Sequence, residues 1–265
     1  MSIDTQKLIQ PVIDISRKAA EEILTIYNAG FDIQKKEDKT PVTTADFAAH
    51  HCIVDGLRKL TPNIPVLSEE STEIAFAERK QWHEYWLVDP LDGTREFIKR
   101  NGEFTVNIAL IRDHKAVLGV IYIPVTGVCY FACEESDAFK SENNQVTQAI
   151  KVRKASANNI HVAGSRSHAD TSLQEFLSKL GDFKITSVGS SIKSCLVAEG
   201  TVDIYPRLGP TSEWDTAAAQ CIVEQAGGFV TDMQLKPLRY NTKESLLNPH
   251  FLVFGDDSID WLQYL

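Results

Sequence analysis

The sequence has no CxxC pair, no apolar run approaching the thickness of a bilayer and no excess of basic residues. Each lack removes a class of protein. The five cysteines (Cys52, Cys129, Cys133, Cys195 and Cys221) are an odd number without ligand spacing. That argues against a zinc ribbon or a disulfide framework and predicts reduced thiols in a cytoplasmic protein. A spanning helix needs roughly 20 apolar residues, so none is expected. The N-terminus, MSIDTQKLIQPVIDISRKAAEEIL, lacks a basic start before an apolar block and does not read as a signal peptide. A formal charge of −9 provides little basic surface to displace counterions from a nucleic acid, so no nucleic-acid partner is expected. A small phosphorylated ligand remains compatible, because a few local cations outweigh a global charge.

What is present is an ordinary globular composition over 265 residues, enough for one large or two modest domains. Leu8, Val12, Ile15, Ala19, Ile23 and Ile26 recur at helical spacing and predict an amphipathic helix ending near Gly30, with Pro11 kinking it or marking its start. A second helix follows PVTTAD, capped by Thr43 or Thr44, with Asp46 in its first turn and Ala49, Ile53, Leu57 and Leu60 as its stripe. NIPVLSEES, WLVDP, FTVNIALI, AVLGVIYI and GVCYFAC read as strands of a mostly antiparallel sheet. After about residue 150 strands and helices alternate: IHVAG, TSLQEFLSKLG, FKITSVG, SIKSCLVAEG, VDIYPR, WDTAAAQCIVEQAGG and FLVFG, with DSIDWLQYL as a closing helix. The segment 151–159 predicts a boundary between domains 1–152 (α+β) and 153–265 (α/β), with a cleft between them.

Carboxylates gather at strand ends. Asp89 and Asp92 flank Pro90-Leu91, Glu69 and Glu70 close another strand, and Asp215 opens a helix. Each has an ordinary use: a turn, a solvated edge or a complement to a helix dipole. Together they suit a hard divalent cation, which takes oxygen ligands and keeps waters that a phosphate can replace. Gly93 then lets backbone approach a ligand closely, and Thr94 adds a hydroxyl. Cations that could hold a second phosphate are Lys193, a point charge, and Arg207, a bidentate fork, with Ser190 and His168 in GSSIK and GSRSH beside them. The pair His50-His51 lacks ligand spacing and is read as structural.

DPLDGT with WDTAAAQCIVEQAGG, preceded in order by PVTTAD and LSEES, resembles the two signatures of the inositol-monophosphatase-type, lithium-sensitive phosphatases. DPLDGTREFIKRNGEFTVNIALI, GSSIKSCLVAEG, YPRLGPTSEWDTAAA and KPLRYNTKESLLNPHF resemble more narrowly the bacterial 3′(2′),5′-bisphosphate nucleotidases of the CysQ type. The resemblance implies a layered αβαβα sandwich, with the metal site in the first domain and substrate binding in the second. It implies two or three Mg²⁺ ions held by Glu69, Asp89, the Leu91 carbonyl, Asp92 and Asp215, with Glu69 also catalytic. Asp46 and Thr94 match the pair that polarises the attacking water. Gly93, Thr94, His168, Ser190, Lys193, Arg207 and Asp215 are the implied substrate contacts.

The activity implied is hydrolysis of the 3′-phosphate of adenosine 3′,5′-bisphosphate, recycling a by-product of sulfate assimilation. The resemblance also allows docking on the inner face of a membrane. An inositol or sugar phosphatase on the same fold, and a non-catalytic sensor of phosphorylated nucleotides, are the alternatives. Two departures stand out: Leu235 where glycine is expected before Lys236-Pro237, and a glycine-free ESDAFKSENNQ.

Overall fold

The computed structural model describes residues 3–30, 33–35, 41–71, 74–142, 147–155, 159–165 and 171–265. The first helix, α1 (Thr5–Ala29), starts at an Asp4 cap and ends at Gly30, whose φ of 105° suits only glycine. Pro11 lies inside α1 rather than at its start. The strands β1 (Ile33–Lys35) and β2 (Pro41–Thr43) form a small ribbon leading into α2 (Thr44–Leu60). Leu8, Val12, Ala19 and Ile23 of α1 and Ala49, Ile53 and Leu57 of α2 are buried, as their spacing predicts.

Both helices cover one face of a seven-stranded sheet. Its strands are β3 (Val66–Ser68), β4 (Glu84–Asp92), β5 (Thr105–Arg112), β6 (Lys115–Ile123), β7 (Val128–Cys133), β8 (Ala138–Glu142) and β9 (Gln148–Ile150), side by side in chain order. Only the β3–β4 pair is parallel. Two short helices, α3 (Phe76–Arg79) and α4 (Thr94–Ile98), flank β4. The unbroken apolar runs of β4 to β6 follow from burial on both faces: Trp86, Val88 and Ile108 face α1 and α2, whereas Leu87, Ala109 and Ile121 face the opposite way. In the glycine-poor turn between β7 and β8, Glu135 takes the left-handed conformation (φ 60°) that a glycine would adopt more easily. Residues 143–146 of that stretch lie outside the described residues.

The second sheet has the order β11-β10-β12-β14-β13, built from β10 (Ile160–Ser165), β11 (Phe183–Val188), β12 (Ile204–Arg207), β13 (Phe229–Asp232) and β14 (Phe251–Phe254). It is mixed: β10 runs parallel to β11 and β12, and β14 runs antiparallel to its two neighbours. The helices α6 (Ile192–Ala198) and α7 (Glu213–Gln225) lie between the two sheets in a shared core. The outer face carries α5 (Thr171–Lys179) and a C-terminal 3-10 turn, Trp261–Tyr264, where a longer helix was expected. The layers read α, β, α, β, α.

The middle layer fixes the site. Residues Ala217, Ala218 and Ala219 of α7 are small, and Gly119 of β6 lies beneath them. A Cβ on Gly119 would stand 2.3 Å from the Ala218 carbonyl oxygen. The helix therefore rests on the sheet backbone, and its first turn carries Asp215 toward the end of β4.

Candidate active site

Asp89 and Asp92 are three residues apart, so a regular strand would point them to opposite faces. The register explains why it does not. Asp89 pairs with Asn107 and Asp92 with Thr105, so three steps on β4 oppose two on β5. The extra residue is a bulge at Pro90-Leu91, a place where proline's missing N–H costs no ladder bond. Both carboxylates thus face the middle layer, where Asp215 meets them. One ligand oxygen from each of Asp89, Asp92 and Asp215 lies within 4.8 Å of the others.

The local bonds hold these groups still. The Leu91 N–H donates to Asp89 Oδ1 at 3.0 Å, and the Ser212 N–H donates to Asp215 Oδ2 at 2.9 Å at the start of α7. Asp89 is 1% exposed. Burial, then the charges of Glu69, Asp92 and Asp215, push its carboxyl well above the usual range. Burial, then Asp92 and Glu69, push Asp215 up as well. Glu69, in a 3-10 turn after β3, lines the same cleft. Crowding that pushes both Asp89 and Asp215 up makes a site that asks for positive charge, and an all-oxygen donor set fits a hard divalent cation.

Beside them stands a second pair. Thr94 Oγ1 donates to Asp46 Oδ1 at 3.2 Å, with the Leu91 carbonyl oxygen 3.4 Å away. Asp46 Oδ2 accepts from the Thr43 N–H and hydroxyl, both at 2.7 Å, as the reciprocal part of the α2 cap. The helix dipole and the cap thus fix a buried carboxylate whose other oxygen aims the threonine. Gly93, with φ 93°, makes the turn between Asp92 and Thr94. A Cβ there would come within 3.3 Å of Ser190 Cβ, so the turn packs directly on the GSSIK loop.

The cleft holds about 260 Å³. Its far wall is built from Ser190, Lys193, Tyr205, Arg207 and Phe251. Ser190 is left-handed (φ 47°), and Lys193 Nζ donates to its carbonyl at 2.6 Å. The Lys193 ammonium lies 5.3 Å from the Tyr205 ring centroid. Burial lowers its pKa to about 8, opposed by Asp92. Arg207 donates through Nε to Thr211 Oγ1 at 2.7 Å and through Nη2 to the Pro210 carbonyl at 3.0 Å.

The inositol monophosphatase family model matches residues 4–253.

This chain belongs to the inositol monophosphatase family.

Among the relatives in that family, the 3′(2′),5′-bisphosphate nucleotidase CysQ of Escherichia coli O157:H7 is 52% identical over 248 residues, covering 93% of this chain and 99% of that protein. The Haemophilus influenzae protein of the same name is 40% identical over 257 residues, covering 97% and 96%. The crystal structure of CysQ from Bacteroides thetaiotaomicron superposes with a TM-score of 0.80 at 42% identity, covering 93% of this chain and 96% of that one. The Thermotoga maritima IMPase shares the fold, with a TM-score of 0.78 at 24% identity.

Within this family fold, Glu69, Asp89, Leu91, Asp92, Gly93, Thr94, Ser190, Lys193, Arg207 and Asp215 line one cleft, and Asp46 reaches it through Thr94. His168 lies outside the described residues. His50 Nδ1 lies 2.9 Å from Ser68 Oγ, and the convergent set is Asp89, Asp92 and Asp215 without it. Two residues at the site carry contacts that the sequence reading did not assign. Ser191 donates to Asp92 Oδ2 through its N–H at 2.7 Å and its hydroxyl at 2.6 Å. Asn107 Nδ2 donates to Ser191 Oγ at 2.8 Å and to Asp92 Oδ2 at 3.3 Å. For Asn107 a signal existed: it is the one amide in the apolar run FTVNIALI.

Proposed function

We propose that the protein is a Mg²⁺-dependent 3′(2′),5′-bisphosphate nucleotidase that hydrolyses the 3′-phosphate of adenosine 3′,5′-bisphosphate to AMP and phosphate. The observation that carries it is the junction of two sets in one cleft: the convergent carboxylates of Asp89, Asp92 and Asp215, and the Thr94–Asp46 pair. The names of the relatives point to the same substrate class. Asp89, Asp92 and Asp215, with Glu69 and the Leu91 carbonyl, would hold two Mg²⁺ ions. When bound, such ions supply positive charge to phosphoryl oxygens and acidify water.

The chain's own residues do the rest. Thr94 directs its proton to Asp46, which leaves its lone pairs to accept a hydrogen bond from a water and turn that water's oxygen toward phosphorus. Attack forms one P–O bond and breaks the bond to the ribose 3′-oxygen; the attacking water gives up one proton to solvent, and the ribose oxygen takes one up from a solvent water. Gly93 brings backbone close to the phosphate. Ser190, Lys193 and Arg207 make the far wall electropositive, where the 5′-phosphate would rest, and His168 is a further candidate for that phosphate.

We read the protein as cytoplasmic, consistent with five free cysteines. Among the described residues, no helix is long and apolar enough to cross a membrane.

The test is phosphate release from adenosine 3′,5′-bisphosphate and from inositol 1-phosphate, side by side, with Mg²⁺ and with added Li⁺. The expected result is faster release from the nucleotide, dependence on Mg²⁺ and inhibition by Li⁺. Faster release from inositol 1-phosphate would transfer the protein to the sugar-phosphatase reading. Nucleotide binding without release would make it a sensor.

A further inference from the structure

We propose that Asn107 and Ser191 are positioning residues that orient Asp92 for its cation and tie the substrate loop to the metal turn. Three of their donors converge on one atom. Asp92 Oδ2 accepts from the Ser191 N–H at 2.7 Å, the Ser191 hydroxyl at 2.6 Å and Asn107 Nδ2 at 3.3 Å. A carboxylate that commits one oxygen to three protein donors presents its other oxygen, here Oδ1, to a cation. Its rotation about χ2 is fixed by the same contacts.

The chemistry also fixes the orientation of the amide. Asn107 Nδ2 faces the carboxylate and the Ser191 oxygen, and the reversed amide would aim a carbonyl at a charged oxygen. Asn107 is 1% exposed, and its Oδ1 has no hydrogen-bond partner among the described residues. An apolar residue at this depth would avoid an unpaired acceptor. What the amide adds here is its grip on Asp92 and Ser191.

Ser191 makes the connection between halves of the chain. Its hydroxyl proton goes to Asp92, while the Asp215 carbonyl lies 3.0 Å from the same Oγ. Its neighbour Ser190 carries the left-handed turn that Lys193 clasps. A shift of the substrate loop therefore shifts a donor to Asp92, and metal occupancy and loop position become coupled through one side chain.

The inference rests on the metal reading of the carboxylates, and the experiment separates the two. Binding of Mn²⁺ alone is followed by the loss of the free-ion paramagnetic resonance signal. It is measured on wild type, Asp92→Asn, Ser191→Ala, Asn107→Ala and the Ser191→Ala/Asn107→Ala double variant, with thermal unfolding recorded for each. Ser191→Ala keeps the backbone donor and removes no buried volume beyond the hydroxyl, so it is the variant that stays folded. Groups behind a metal ligand typically contribute 10–100-fold to affinity. Both single variants should lose Mn²⁺ affinity in that range, and the double variant should lose much less than the product of the two. Affinities within about twofold of wild type in the folded single variants, together with a loss in Asp92→Asn, would overturn the positioning role alone. Unchanged Mn²⁺ affinity in Asp92→Asn would remove the metal reading and this inference together.

Discussion

The two walls of the cleft are built on opposite principles. On the sheet side, Asp89, Asp92 and Asp215 are held by backbone donors and cap bonds while their charges oppose one another. On the loop side, Lys193 and Arg207 already spend donors on carbonyl and hydroxyl oxygens of their own segments. One wall stores unmet charge and the other stores committed donors. The lesson is that the acidic wall defines the chemistry by what it lacks. The basic wall defines shape first, because its cations hold turns in place as well as facing the ligand.

That contrast can be broken from the acidic side first. Replacing Asp92 by Asn should leave the fold intact and lower Mg²⁺-dependent phosphate release on the order of 10³-fold. Near-normal turnover in that variant would end the assignment. Thr94→Ala should cost on the order of 10²-fold, since it removes the oriented hydroxyl while Asp46 keeps its cap bonds. A loss confined to KM would instead make Thr94 a binding contact.

The basic wall gives a pH signature. Burial holds the folded Lys193 pKa at about 8, below the ordinary lysine value of 10.5. Between those values the unfolded chain binds more protons than the native state, so stability rises with pH. The cost of the buried charge is full below about pH 8 and is relieved as the pH climbs toward 10.5. Against Lys193→Met, the stability difference should shift toward wild type by roughly 1.4 kcal/mol per pH unit in that window. Chemical unfolding at pH 7.5, 8.5 and 9.5 reads it, and a flat difference would show that the ammonium is not buried.

The smallest effect lies outside the lining of the cleft. Leu235 sits where glycine was expected, and its φ is 58° in the turn after β13. Exposed at 44%, it has little packing to lose. Leu235→Gly should raise stability by about 0.5–1 kcal/mol and leave catalysis alone. A lower melting temperature would mean that Leu235 contributes contacts beyond this turn.

Much of the scaffold was legible because its signals are local. The stripes of α1 and α2, the Thr43 cap and the apolar runs of β4 to β6 each follow from neighbours a few residues apart. The site was legible in part for the same reason, since Asp46 to Thr43 and Asp215 to Ser212 are bonds within one helical turn. What escaped depends on pairings across the chain. The bulge at Pro90-Leu91 exists only relative to β5, and nothing in the order of residues states which of its partners Asp92 will face. Ser191 meets Asp92 across 99 positions, a pairing that the order of residues does not display. The strand β13 follows directly on the two glycines that close the α7 motif, and its four residues are too short a run to carry a period of their own.

The contact between Gly119 and α7 has a consequence for how this enzyme can drift. Backbone rests on backbone there, with no rotamer in between. The separation between sheet and helix is therefore insensitive to repacking elsewhere in the core, and the Asp215 end of the helix inherits that tolerance. Side chains around α7 can be exchanged over generations while the distance between its carboxylate and those of β4 stays set. A single added methyl at Gly119 would act at the fulcrum and lift the whole helix.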